Sequence, residues 1–130
     1  MEIKAIDHIT VNVKDLEKTK YFYGELLGLS PLPVVTIPGV QKVYYYALPG
    51  GVRLELIDYE ERLPVSRQSE MAPGSCRHFA FETEDIRKLE KKFNEAGYYF
   101  HYPIQYSDDF KCTHGLIFDP NGFELEFVQY

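Results

Sequence analysis

Among the side chains of the types that bind metal ions, four fall into two matched pairs. His8 and His78 lie 70 residues apart, and Glu55 and Glu126 lie 71 apart. Imidazole with carboxylate suits zinc, nickel, cobalt, manganese or iron, and a set that leaves positions for water keeps such an ion reactive. A lone histidine on a strand is ordinarily a polar residue on an exposed face. Four such residues in repeated positions point to a site.

The repeat itself runs through the chain. Asp7-His8-Ile9-Thr10-Val11-Asn12-Val13-Lys14-Asp15-Leu16 lies over Arg77-His78-Phe79-Ala80-Phe81-Glu82-Thr83-Glu84-Asp85-Ile86. Tyr23-Gly24-Glu25-Leu26 lies over Phe93-Asn94-Glu95-Ala96, and Gly28 over Gly97. Pro49 to Leu56 lies over Pro120 to Phe127. Three registrations that drift by one residue identify two copies of one unit.

Each copy carries the same succession of elements. Ile9, Val11 and Val13 alternate with polar neighbours, the period of a half-buried strand, and Phe79 and Phe81 repeat it. Asp15 opens a helix with Leu16, Phe22, Tyr23, Leu26 and Leu27 near a 3.6 period, and Gly28 closes it. Ile86, Leu89, Phe93 and Ala96 mark the second helix, closed by Gly97. Strands are predicted around 32–36, over 42–48 and 52–58, then over 98–106, 112–118 and 123–129. Pro49-Gly50-Gly51 and Asp119-Pro120-Asn121-Gly122 are their turns. Each unit is therefore β-α-β-β-β. Glu60 to Ser75, rich in charge and with two prolines, reads as the connection: module one about 1–60, linker about 61–75, module two about 76–130.

Strand alternation sorts the faces. Leu54 and Leu56, like Leu125 and Phe127, belong under the helix, which turns Glu55 and Glu126 to the face shared with His8 and His78. Arg53 and Glu124 stand two residues earlier on that face, where they would touch substrate or only the rim. His101 reads as a partly exposed strand residue, and His114 as structural or as a partner behind the ligands. Tyr44-Tyr45-Tyr46 reads mainly as packing, with one or two hydroxyls toward substrate. Cys76 and Cys112 show no activating partner. Arg87, Lys88, Lys91 and Lys92, interleaved with Glu90 and Glu95, form a solvated helix face.

Composition narrows the function classes. The 130 residues include 11 Tyr and 9 Phe, which excludes a disordered chain. The longest mostly apolar run, Pro31 to Val40, is short and holds three prolines, so no membrane span is expected. A net charge of −6 offers no footprint for nucleic acid. Met1 to His8 lacks the basic start and apolar stretch of an export signal, and two cysteines make no disulfide framework. The expectation is a cytoplasmic domain that handles a small molecule.

The pattern resembles the vicinal oxygen chelate superfamily, which includes glyoxalase I, fosfomycin-resistance proteins, extradiol dioxygenases, methylmalonyl-CoA epimerase and bleomycin-binding proteins. The carriers are Asp7-His8-Ile9 with Asp15-Leu16, Leu54-Glu55-Leu56, Arg77-His78-Phe79-Ala80-Phe81, and Asp119-Pro120-Asn121-Gly122-Phe123-Glu124-Leu125-Glu126. The resemblance implies an α+β fold, a single domain over 1–130. Two βαβββ modules would form an open, eight-stranded mixed barrel-like sheet around one divalent metal, with helices outside. His8 and His78 match the family's first-strand ligands, and Glu55 and Glu126 its last-strand ligands. Glu126 is chosen over Glu124 because it is the repeat partner of Glu55.

Within the family, a His/Glu/His/Glu set is similar to glyoxalase I. The implied activity is that of a metal-dependent isomerase or lyase that stabilises an enediolate of a small carbonyl compound, possible substrates including a thiol adduct or thioester. Glu55 or Glu126 would move the proton. Glyoxalase I carries an Arg that helps hold glutathione four residues beyond the first His; here Asn12 stands there, so the glutathione substrate does not carry over. Two alternatives come with the fold: an iron-dependent extradiol-type dioxygenase using His8, His78 and Glu126, and a non-catalytic binding or resistance protein. A homodimer is expected, with each barrel closed within one chain or between two.

Overall fold

Asp15 and Asp85 do what their positions after the first strand of each unit predict. Each caps a helix, its side chain accepting a hydrogen bond from the backbone N–H three residues on, Lys18 at 3.1 Å and Lys88 at 2.9 Å. The computed structural model describes residues 2–65 and 71–130. It divides into two compact units, Met1–Val65 and Ser66–Tyr130. Residues 66–70 of the sequence-predicted linker lie outside the described residues.

In the first unit, β1 (His8–Asn12) leads to α1 (Leu16–Lys20), and short β2 (Ser30–Pro31) and β3 (Val35–Ile37) precede β4 (Gln41–Ala47) and β5 (Arg53–Tyr59). Strand β1 runs parallel to β5, which is antiparallel to β4, and β2 and β3 both pair with β4. The second unit repeats this plan with β6 (Phe79–Glu82), α2 (Ile86–Glu95), β7 (Tyr102–Ser107), β8 (Cys112–Phe118) and β9 (Glu124–Gln129). Its sheet order is β6-β9-β8-β7, with β6 parallel to β9. Each unit is thus a mixed sheet with one main helical segment, the α+β class and the βαβββ plan read from the repeat.

Three local expectations need correction. The first helix does not keep a 3.6 period: after Lys20 it widens into a π-helical segment, Tyr21–Leu26, in which Leu27 N–H bonds back to Phe22 O at 3.0 Å. The wider turn buries Phe22, Tyr23 and Leu26 together. The strand expected around 32–36 is two pieces. Prolines 31 and 33 offer no N–H to a ladder, and the partners shift from Pro31 opposite Tyr46 to Val35 opposite Val43. Finally, β7 starts at Tyr102 rather than Tyr98. Phe100 is drawn against Phe93 and Phe127, and His101 stacks on Phe118 with ring centroids 3.9 Å apart.

The alternation of the last strands holds. Leu54, Leu56 and Leu125 are fully buried and Phe127 nearly so, packed with Phe22, Tyr23 and Phe93 as the cores of their units. Glu55 and Glu126 lie on the other face, half-buried.

Candidate functional site

In the first unit the register of three neighbouring strands sets the surroundings of Glu55. Thr10 on β1 and Tyr45 on β4 stand opposite it. Both donate: the Thr10 hydroxyl to Oε1 at 3.1 Å, the Tyr45 hydroxyl to Oε2 at 2.5 Å. The bond to the Glu55 carboxylate, with burial second, pushes the Tyr45 hydroxyl above its ordinary range. His8 Nε2 faces Glu55 Oε1 at 3.9 Å, and His8 Nδ1 lies 2.7 Å from Asp7 Oδ2. Asp7 also takes a bond from Arg53 Nη2 at 2.7 Å. The contact with His8, and after it Arg53, holds the Asp7 carboxyl below the usual carboxylate range. The Arg53 guanidinium lies over the Tyr45 ring at 4.6 Å.

The second unit has the same frame with different fillings. Ala80 and Leu116 stand opposite Glu126, where Thr10 and Tyr45 stand opposite Glu55. His78 Nε2 faces Glu126 Oε2 at 3.9 Å, the spacing found in the first unit. His114 Nδ1 approaches the same oxygen at 3.3 Å, so this histidine is a neighbour of Glu126. Glu124 is buried, with Arg77 on Oε1 and His101 Nε2 on Oε2 at 2.9 Å. His78 Nδ1 is buried and, among the described residues, has no hydrogen-bond partner; it lies 3.5 Å from Glu124 Oε1.

The sequence reading thus finds His8 with Glu55 in one unit and His78 with Glu126 in the other. Arg53 and Glu124 are each tied to the residue before the unit's histidine. His101 precedes its strand and binds Glu124. Asp7, Thr10 and Arg77 have no role in the sequence reading, and Tyr45 only that of packing or a hydroxyl toward substrate, although the repeat held a signal. Asp7 aligns with Arg77 and Arg53 with Glu124, opposite charges in matched positions.

The donor chemistry suits a cation. An ionised carboxylate only accepts, so His8 Nδ1 donates to Asp7, and a neutral ring then presents its Nε2 lone pair to another acceptor, Glu55. Two acceptors that face each other at this spacing suit a cation between them. Donors each about 2.1 Å from one ion lie about 3–4 Å apart, and 3.9 Å is within that span. Among the described residues there is no group of three or more His, Cys, Asp and Glu that could hold a metal ion. Each unit supplies a pair.

Comparison with known proteins agrees with this frame. A family model, that of the Glyoxalase/Bleomycin resistance protein/Dioxygenase superfamily, matches residues 5–127. YwkD of Bacillus subtilis is 26% identical, with 99% of each chain covered. A glyoxalase family protein from Enterococcus faecalis superposes with a TM-score of 0.81 at 29% identity, covering 98% of this chain and 99% of that one. The trypanothione-dependent glyoxalase I of Leishmania major has the same fold, with a TM-score of 0.73 at 22% identity over 98% and 87% of the chains. On the breadth of the family match, the chain belongs to the Glyoxalase/Bleomycin resistance protein/Dioxygenase superfamily.

Proposed function

We propose that this protein is a metal-dependent isomerase or lyase of the glyoxalase type, with His8, Glu55, His78 and Glu126 as ligands of a divalent ion. The observation that carries the reading is the repeated pair, imidazole Nε2 facing carboxylate at 3.9 Å in both units. When bound, such an ion supplies Lewis-acid stabilisation of negative charge on a substrate carbonyl oxygen and its neighbour. The substrate is a small carbonyl compound, and the protein is taken to be a cytoplasmic homodimer. Light scattering at micromolar concentration checks the dimer.

The two carboxylates differ in freedom. Both oxygens of Glu55 are held by hydroxyls, whereas Glu126 has, among the described residues, only His114 in hydrogen-bond reach, on one oxygen at 3.3 Å, and Ala80 and Leu116 opposite it offer no side-chain donor. Glu126 therefore takes the base role: its carboxylate accepts the proton from the carbon beside the carbonyl and returns it to the adjacent carbon. Glu55 keeps its place.

The test follows deuterium at the carbon beside the carbonyl, in heavy water, for 2-oxoaldehyde–thiol adducts and methylmalonyl-type thioesters. Exchange in the wild type supports the reading. Oxygen consumption with a catechol and bound iron would replace it with a dioxygenase. Tight binding of an aromatic ligand without metal or reaction would replace it with a binding protein.

A further inference from the structure

The two units contain the same cross-strand ion pair with its charges exchanged. In the first, Asp7 before β1 pairs with Arg53 at the start of β5; in the second, Arg77 before β6 pairs with Glu124 at the start of β9. In both, the acidic member reaches the histidine. Asp7 Oδ2 is 2.7 Å from His8 Nδ1, and Glu124 Oε1 is 3.5 Å from His78 Nδ1. The acid has changed strands between the units, yet in each it lies beside the same ring nitrogen.

We infer that Asp7 and Glu124 are positioning residues: each, held by its cross-strand arginine, accepts the Nδ1 proton of its histidine and turns the Nε2 lone pair toward Glu55 or Glu126. A neutral imidazole carries one N–H, and a carboxylate beside Nδ1 fixes it there. At His78 such a bond would satisfy a nitrogen that is buried and, among the described residues, has no hydrogen-bond partner. A shift of a few tenths of an ångström brings it to hydrogen-bond length. Glu124 is held against larger movement by Arg77 on one oxygen and His101 on the other. The inference rests on the ligand assignment proposed above.

Long-range ¹⁵N–¹H spectra of the metal-free protein at about pH 8, above the ordinary histidine range, test it without activity. Both histidines are expected to carry the proton on Nδ1, against the Nε2–H tautomer that free histidine favours. Asp7→Ala, at a side chain 72% exposed, should release His8 and leave His78 unchanged. Glu124→Ala should release His78 alone, while Glu124→Gln, whose amide oxygen still accepts, should hold it. Zinc titration should show Kd raised about 10–100-fold in each Ala variant. A wild-type His8 or His78 protonated on Nε2, or a tautomer unmoved by loss of its carboxylate, overturns the inference. If the wild type binds no zinc while the tautomers behave as stated, the ligand assignment fails and the positioning role stands.

Discussion

Glu55 and Glu126 occupy matched positions, but what surrounds them differs in its capacity to donate. Thr10 and Tyr45 bond both oxygens of Glu55, while the equivalents Ala80 and Leu116 have no polar side-chain atom and Glu126 has, among the described residues, only His114 in hydrogen-bond reach, on one oxygen. Glu126→Gln is therefore expected to reduce turnover by roughly 10²-fold or more, and Glu55→Gln by less, measured as deuterium exchange beside the carbonyl. The tyrosines add a prediction at alkaline pH. Burial raises the Tyr46 hydroxyl above its ordinary 10.0, and the Glu55 bond raises that of Tyr45. A raised folded-state value means this stability is whole below the unfolded value and is lost as pH climbs through the folded one. Denaturant unfolding should show Tyr46→Phe losing less stability than the wild type as pH rises above about 10. The pairing of His8 with Glu55 and of His78 with Glu126 was legible because the repeat aligned them. Arg53 with Asp7 and Arg77 with Glu124 were not, since those contacts join residues 46 and 47 positions apart and depend on parallel-strand register.

The elements were legible where their ends are set locally. Asp15 and Asp85 as caps, and Gly28 and Gly97 at positive φ as stops, follow from chain-local chemistry. Asp85→Ala should cost about 1 kcal/mol in denaturant unfolding, through loss of the bond to Lys88 N–H. Where tertiary contacts decide, the pattern misled. The first helix widens into the π-helical segment Tyr21–Leu26, and the start of β7 yields to the packing of Phe100 and His101. Gly115 on β8 belongs to that packing: a Cβ there would lie 2.7 Å from the Phe100 ring and 3.1 Å from Tyr102 O. Gly115→Ala should therefore destabilise by about 1–3 kcal/mol, read from the same unfolding curves.

For the molecule as a whole, duplication explains both what recurs and what has diverged. The parallel pairing of first and last strand recurs in each unit and sets a histidine beside a glutamate. The residues around those pairs have diverged, giving one held carboxylate, one freer carboxylate and an ion pair of reversed sign. The account's central claim is that the two pairs are metal ligands. Metal analysis of protein purified without chelator, followed by zinc titration of the wild type and of His8→Ala and His78→Ala, tests it most directly. The account predicts about one divalent transition metal ion per chain and a large loss of affinity in either variant. Full-affinity binding after both substitutions would contradict it.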